Sequence, residues 1–209
     1  DGSVSVFDSG LGFLFKLGQG NDEFVSPVDI EVDSSGNIYV VDKDDNSIRT
    51  YDSSGVYTGS IGTPGNGDGQ LHRPLSVAID ENAGEIVVLD LQQVYDATRK
   101  DMVDGARIQY FDMNGVSIRA YSKFGYNITT GEMIGPKEIA VDAMSRIYVT
   151  GARLMKVVVY DNLDNFLGTI DNAASTFNIP KGLTIAASGK MYVTSFAARK
   201  IEVFGLDDY

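Results

Sequence analysis

Three short phrases recur four times, in the same order, along this chain of 209 residues. The first consists of a proline, an aliphatic residue three positions later, a second aliphatic residue and, in three copies, an aspartate. Its copies lie at residues 27–33, 74–80, 136–142 and 180–186. Repetition at a period of about 20–50 residues is typical of folds that stack one supersecondary unit, so the repeated unit has to be identified first.

The other two phrases follow each copy of the first. The second phrase lies at 36–42, 84–90, 145–150 and 189–194, and the third at 48–52, 108–112, 157–161 and 201–204. An additional copy of the third phrase, residues 4–8, opens the chain. All are short, alternating and rich in β-branched and aromatic residues, which predicts β-strands.

A turn and a fourth strand complete each unit. Asp-x-x-Gly follows the third phrase at Asp52 and Asp112, and a version one residue shorter starts at Asp8. Glycine there supplies a positive φ and the aspartate accepts hydrogen bonds from its own turn. Fourth strands are predicted at 57–61, 117–121, 165–170 and 13–17. No segment has the sustained 3.6-residue period of a core helix, so each unit is predicted to be a four-stranded antiparallel meander.

A single sheet of this kind has two apolar faces. Face-to-face stacking of several copies around an axis buries those faces, which predicts an all-β fold of propeller type. The sequence pattern also resembles the NHL repeat, most clearly at residues 24–62, and the resemblance covers nearly the whole chain. It implies a single β-propeller domain over 1–209, in a family whose rings commonly have six blades.

Blades are predicted at 24–62, 71–125, 133–170 and 177–209, with a partial blade at 3–18. Two interpretations are open. In one, the strand at 13–17 completes the last blade of a four-bladed ring. In the other, which the unexplained strand at 4–7 favours, the chain is part of a larger ring of the six-bladed type. In the last two copies Thr150 and Thr194 are expected to replace Asp42 and Asp90, and Ala186 replaces the aspartate that ends the first phrase.

Composition excludes several kinds of chemistry. The chain has no cysteine and one histidine, which excludes disulfides, zinc–thiolate sites and covalent haem and leaves little for histidine-based catalysis. Its formal net charge of −12 argues against binding a nucleic-acid backbone. We therefore expect no catalytic residue, no metal and no cofactor. The absence of cysteine and an abundance of glycine and tyrosine favour a bacterial cell-surface, periplasmic or secreted protein.

The second blade contains an insertion. Asp42 and Ile48 are six residues apart, whereas Asp90 and Ile108 are eighteen apart. Loops on a rigid scaffold are frequent binding sites, and aromatic and arginine side chains are typical interface anchors. We expect the 91–106 loop to bind a protein partner together with the rim of the propeller on which it lies. This rim is the edge formed by the loops between second and third strands and by those between blades. A tolerated surface insertion is the alternative. The predicted partner-binding residues are Tyr95, Arg99, Lys100, Met102, His72 and Arg153.

Several other motifs have competing interpretations. Residues 42–46 resemble the start of a calcium loop, but serine at the sixth and twelfth positions favours carboxylates that cap a tight turn. The sequon at Asn127 is attributed to chance. Tyrosines at fixed repeat positions are interpreted as packing residues. The sequon and tyrosines therefore add no functional site.

The predicted function is a non-catalytic binding or assembly scaffold outside the cytoplasm, which contacts its partner through rim loops and open blade edges. Two alternatives stay open. Similar propellers include metal-dependent lyases and lactonases, for which Asp29, Glu138 and His72 would be the candidate ligands. Others accompany extracellular multihaem cytochromes, so the chain could also cap such an assembly.

Overall fold

The computed structural model of the protein describes residues 2–20, 23–125, 127–151, 153–171 and 177–206. These residues form eighteen β-strands and one short 3-10 helix, Ile128–Thr130. The strands are β1 Val4–Phe7, β2 Phe13–Leu17, β3 Pro27–Val32, β4 Ile38–Asp42, β5 Ser47–Tyr51, β6 Tyr57–Ile61, β7 Thr63–Pro64, β8 Gln70–Asp80, β9 Glu85–Asp96, β10 Asp101–Asp112, β11 Ser117–Ser122, β12 Pro136–Val141, β13 Ile147–Gly151, β14 Lys156–Tyr160, β15 Phe166–Ile170, β16 Pro180–Ile185, β17 Lys190–Ser195 and β18 Lys200–Gly205. No helix in the described part of the chain is long and apolar enough to span a bilayer.

The strands form five sheets in sequence order. β3 to β6, β8 to β11 and β12 to β15 are four-stranded antiparallel meanders, and the two-residue β7 adds a parallel edge to the second of these. β16 to β18 form a three-stranded sheet, and β1 and β2 form a hairpin. The predicted strands and their order are confirmed.

Each sheet packs face to face against the next. Val87, Leu89 and Ile108 of the second meander share a core cluster with Ile147 and Val149 of the third. Equivalent clusters join the third meander to the last sheet, the first meander to the second, and the β1–β2 hairpin to the first meander. The innermost strands β3, β8, β12 and β16 lie side by side around an axis. The fold is therefore all-β, with antiparallel blades in a propeller arrangement.

The inner strand of the first meander and the outermost strand of the last sheet expose apolar side chains. Ile30 and Val32 on β3, and Ile201 and Val203 on β18, are all exposed. Within the described ranges, β2 pairs with β1 and β18 pairs with β17, but β2 and β18 do not pair with each other. The four-bladed interpretation, in which the 13–17 strand completes the last blade, is therefore not what the structure shows.

The turns of the repeat are built by aspartate, as predicted. The Asp52 carboxylate accepts the N–H groups of Ser54 and Val56, and Gly55 has a φ of 82°. The turn at Asp8 differs from the prediction, because the positive φ of 64° belongs to Leu11 and not to Gly10. This turn therefore has the same length as the others and is not one residue shorter.

The structure also corrects the alignment of the last two repeats. Pro27 lies opposite Asp42, and the corresponding prolines, Pro136 and Pro180, lie opposite Gly151 and Ser195. Gly151 and Ser195, and not Thr150 and Thr194, therefore take the place of Asp42. The sequence comparison aligned Thr150 and Thr194 with Asp42. The strand register aligns them with Val41, one residue earlier.

The repeated tyrosines belong to the packing of the blades, as predicted. Tyr39 and Tyr148 are buried, and their hydroxyls donate to Asp33 and Asp142, the aspartates that end the first phrase of their own repeats. Burial next to these carboxylates raises the pKa of Tyr39 to about 12 and raises that of Tyr148 as well. Both tyrosines are therefore structural donors.

Candidate functional site: the rim, its arm and the central channel

The insertion of the second blade is a β-hairpin and not a loop. β9 and β10 continue beyond the ends of the equivalent strands as a ladder in which Tyr95 faces Met102 and Asp96 faces Asp101. Residues 97–100 form the turn, and Lys100 has a φ of 56°. The prediction of a loop over 91–106 is therefore wrong. Val94, Tyr95 and Val103 are strong strand formers that alternate across the hairpin, which lets the ladder continue. We call residues 91–105 the arm.

A buried ion pair lies at the root of the arm. Arg107 and Asp90 face each other across the ladder, and the Asp90 carboxylate accepts the Nε–H of Arg107 at 2.9 Å and an Nη2–H at 2.5 Å. Arg107 also donates to the carbonyl oxygens of Asn66, Gly67 and Gln70. The guanidinium therefore ties the 66–70 turn to the arm.

Two further contacts fix the direction of the arm. The N–H of Gln93 donates to the side-chain oxygen of Asn66 at 3.0 Å, and the side-chain amide of Gln92 donates to the backbone oxygen of Asn66. On the other side, Phe124 lies over Gly105, where an added Cβ would be 2.7 Å from the Cβ of Phe124. The arm is thus a supported element of the scaffold, which is the usual setting of a binding segment.

The outer part of the arm presents apolar side chains to solvent. Tyr95 is 63% exposed and Met102, directly across the ladder, is 52% exposed. Arg99 and Lys100 lie in the turn, where the buried Asp96 accepts the N–H groups of Thr98 and Arg99. The aromatic side chain, the methionine and the two cations therefore share one end of the arm.

A cavity of about 270 Å³ lies at the rim beside the arm. Its lining residues come from the turns that join the second and third strands of a blade (the 2–3 turns), from the connections between blades and from the arm. Five cationic residues line it: Lys43, Arg73, Arg99, Lys137 and Arg153. Asp104 is the one acidic residue among the described residues of the lining, and it accepts from Arg73 at 2.8 Å and lies 3.2 Å from His72 Nε2. We call this cavity the rim cavity.

The predicted partner-binding residues are distributed over this rim. Arg99 and Arg153 line the rim cavity, and His72 reaches it through Asp104. Tyr95, Lys100 and Met102 lie further out on the arm. His72 lies within the long strand β8.

Sequence reasoning missed Lys43, Arg73 and Lys137. The signal was present, because each is next to a residue that marks the rim end of a strand: Asp42, Pro74 or Pro136. The convergence of these three cations on one cavity appears when the blades are placed around the axis.

The central channel holds a second group of polar residues. A cavity of about 200 Å³ is lined by the inner strands and includes Asp29, Glu31 and Glu138. Burial raises the pKa of Asp29 and of Glu31. Burial, followed by the charge of Asp29, raises the pKa of Glu138 to about 7. Glu31 was missed, although alternation places it on the same face of β3 as Asp29.

These carboxylates hold the blades together. Asp29 accepts the N–H of Val77 at 2.9 Å from the next inner strand, and Glu138 accepts the N–H of Leu183. Ser76 occupies the equivalent position between them and accepts the N–H of Ile139 at 3.2 Å. Three inner strands, β3, β8 and β12, thus each contribute one side-chain acceptor to the strand that follows.

The proposed metal ligands do not come together. Asp29 and Glu138 share the channel, but His72 lies at the rim beside Asp104. Among the described residues, no three histidine, aspartate or glutamate side chains are grouped closely enough to hold a metal ion. The carboxylate oxygens of Asp42 accept the N–H groups of Val25 and Ser26, which lie before β3 and not in the predicted tight turn at 42–46.

Comparisons with known proteins give the same fold. A family model described as a 6-bladed beta-propeller matches residues 33–102. The chain is 27% identical over 152 residues to Protein brain tumor of Drosophila melanogaster, and 26% identical over 152 residues to B-box type zinc finger protein ncl-1 of Caenorhabditis elegans. Each match covers 73% of this chain but only 13% and 16% of those proteins.

Solved structures resemble a larger part of the chain. A streptogramin B lyase superimposes with a TM-score of 0.62 at 15% identity, over 99% of this chain and 62% of that one. A protein of unknown function from Bacteroides caccae gives 0.65 at 10% identity, over 99% and 66%. The gluconolactonase XC5397 of Xanthomonas campestris gives 0.64 at 14% identity, over 91% and 61%. At these identities the similarity establishes the fold alone.

Proposed function

We propose that this protein is a non-catalytic propeller scaffold that binds a protein partner through the arm and the adjoining rim. We also propose that its blades are of the NHL type and belong to a ring of the six-bladed type. The observation that supports the binding role best is the arm itself. It is a hydrogen-bonded hairpin that projects from the second blade and carries Tyr95 and Met102 exposed side by side.

Tyr95 and Met102 expose apolar surface on a segment whose backbone is already fixed. An exposed aromatic and a methionine on a fixed hairpin lose little conformational freedom on binding, because the ladder and the Asn66 contacts already hold the backbone. Tyrosine and methionine are enriched at interface centres. The exposed apolar residues of β3 and β18 offer a second surface, which could pair with further sheets or with another copy.

The catalytic alternative rests on the channel carboxylates. Asp29 and Glu138 both accept backbone N–H groups, so their oxygens serve the packing of the blades. No nucleophile–base pair accompanies them among the residues that line the channel cavity. Elemental analysis of the purified protein separates the two functions, because a stoichiometric, tightly held divalent ion would favour the enzyme. The extracytoplasmic location stays a prediction, as does the cytochrome-assembly alternative.

The binding role is tested by shortening the arm. Gln92 and Gly105 face each other in the ladder, so a two-residue Asn-Gly turn can replace residues 93–104 without breaking the sheet. Tagged wild-type protein, the shortened variant and a Tyr95→Ser/Met102→Ser variant are expressed in the organism that encodes the protein. A chain recovered with the wild type is then purified and titrated against all three by calorimetry.

We expect both variants to bind at least about tenfold more weakly, since losing two central apolar contacts costs about 1.4 kcal/mol or more. Circular dichroism spectra and melting curves must show that the variants are folded. Equal affinity of wild type and the shortened variant would refute the role of the arm.

A further inference from the structure

The rim cavity has a charge opposite to that of the protein as a whole. The chain has a formal net charge of −12, yet the charged residues that line this cavity are five cations and one carboxylate. The cations come from the 2–3 turns of two blades, the starts of two inner strands and the arm, so the tertiary fold brings them together. A local positive field on an acidic protein is selective, because anions are repelled by the rest of the surface.

Three of the five cations that line the rim cavity have no carboxylate partner among the residues that the structure describes. Arg73 is paired with Asp104, and Arg99 lies 3.6 Å from the buried Asp96. For Lys43, Lys137 and Arg153, no carboxylate oxygen of the described residues lies within 4.0 Å. Grouping these cations costs repulsion energy in the free protein, and an anionic ligand offsets that cost.

The rim cavity is also lined by apolar side chains. Leu75 and Ile134 contribute to it from the scaffold and Val103 from the arm, and all three are half-buried. A site that combines apolar and cationic lining residues favours a ligand that has both apolar groups and negative charges. A free inorganic anion would use the cations alone.

We propose that the rim cavity binds a protein segment in which carboxylate side chains flank apolar ones. This inference rests on the proposed scaffold function and specifies the chemistry of the partner. Carboxylates of the segment pair with Lys43, Lys137 and Arg153, its apolar side chains occupy the cavity, and the neighbouring residues of the partner reach Tyr95 and Met102 on the arm.

A nucleic acid fits this surface less well. The arm carries Asp96, Asp101 and Asp104 beside the cations, and the chain as a whole is strongly acidic. Binding of a phosphate backbone depends on several successive cation contacts along an extended positive surface. The five cations described here line one cavity of about 270 Å³, which accommodates a few side chains.

Fluorescence anisotropy with a defined probe tests the proposal. The probe is a short fluorescein-labelled peptide in which glutamates flank two leucines, and the control peptide has glutamine in place of each glutamate. The test variants are Lys137→Glu and Arg153→Glu, both exposed and thus compatible with folding. Lys190→Glu is the matched control. Lys190 is exposed at the end of β17 that lies away from the rim, and its substitution changes the charge by the same amount.

We expect each rim variant to weaken binding of the glutamate peptide at least about tenfold, and Lys190→Glu to change it by less than about twofold. Binding should also weaken with added salt and be much weaker for the glutamine peptide. Equal binding of the two peptides, or no effect of the rim variants, would overturn the proposal. Tighter binding of a single-stranded uridine-rich RNA would replace it with a nucleic-acid surface.

The partner experiment separates this inference from the proposed function. If the shortened arm abolishes binding of the recovered partner while Lys137→Glu and Arg153→Glu leave it unchanged, the scaffold function stands and the acidic-segment inference is wrong. If the rim variants lose the peptide but the shortened arm keeps the partner, the peptide site stands and the role of the arm is wrong.

Discussion

Replacing Arg107 by methionine should destabilise the protein more than any substitution of an exposed cation. The guanidinium is buried, faces Asp90, and donates to three carbonyl oxygens of the 66–70 turn. Methionine retains most of the side-chain volume but leaves the Asp90 carboxylate buried without its partner. Removing one partner of a buried ion pair typically costs about 3–5 kcal/mol.

Urea denaturation measures this loss as a shift in the midpoint. With an m-value of about 2–3 kcal/mol/M for a domain of this size, the midpoint should fall by roughly 1–2.5 M. Arg73→Met is the matched control: its pair with Asp104 has a similar distance, 2.8 Å, but the side chains are 46% and 32% exposed, so a loss below about 1 kcal/mol is expected.

Hydrogen exchange gives a second readout. Because Arg107 holds the turn that accepts the N–H of Gln93, exchange at Gln93 should accelerate in Arg107→Met and stay unchanged in Arg73→Met. If Arg107→Met costs less than about 1 kcal/mol, or no more than Arg73→Met, the buried pair does not anchor the arm and our account of its rigidity is wrong.

Two further predictions concern the channel and the root of the arm. Because Glu138 has a folded-state pKa of about 7, above its unfolded value of 4.5, its contribution to stability is present below pH 4.5 and is lost as the pH rises through 7. Glu138→Gln should therefore be more stable than wild type at pH 8, by about 1–2 kcal/mol after allowance for water in the channel, and no more stable at pH 4, as measured by urea denaturation; a constant difference would contradict this. Gly105→Ala should lower stability by about 1–3 kcal/mol because its Cβ meets Phe124, whereas Gly205→Ala, with open space at the same position, should be neutral in thermal melts; equal effects would show that Phe124 moves aside at no cost.

The repeat made most of the fold predictable from the sequence. Four copies of the same strand phrases gave the strand boundaries, the aspartate turns and the stacking, because each phrase carries its own alternation. The arm was mistaken for a loop because Gln92, Gln93 and Asp104 interrupt the apolar alternation on which strand prediction depends. Pairing between the two segments, which supplies the missing stability, cannot be read from either one alone.

The rim cavity was predictable only in part. Arg99 and Arg153 were selected because they lie in 2–3 connections, and the structure places them around one cavity. Lys137 lies on an inner strand and was not connected with them, because sequence distance carries no information on neighbours in different blades. For the same reason, the sequence could not show that His72 lies apart from Asp29 and Glu138.

The backbone N–H groups that Asp29, Ser76 and Glu138 accept all belong to the inner strand that follows, which gives this series of links a direction. The position that follows in this series is Gly182, which has no side chain to offer. The blades are therefore not interchangeable modules: a chimera that moved the last sheet into the middle of the series would lose one link between neighbours while keeping every strand intact.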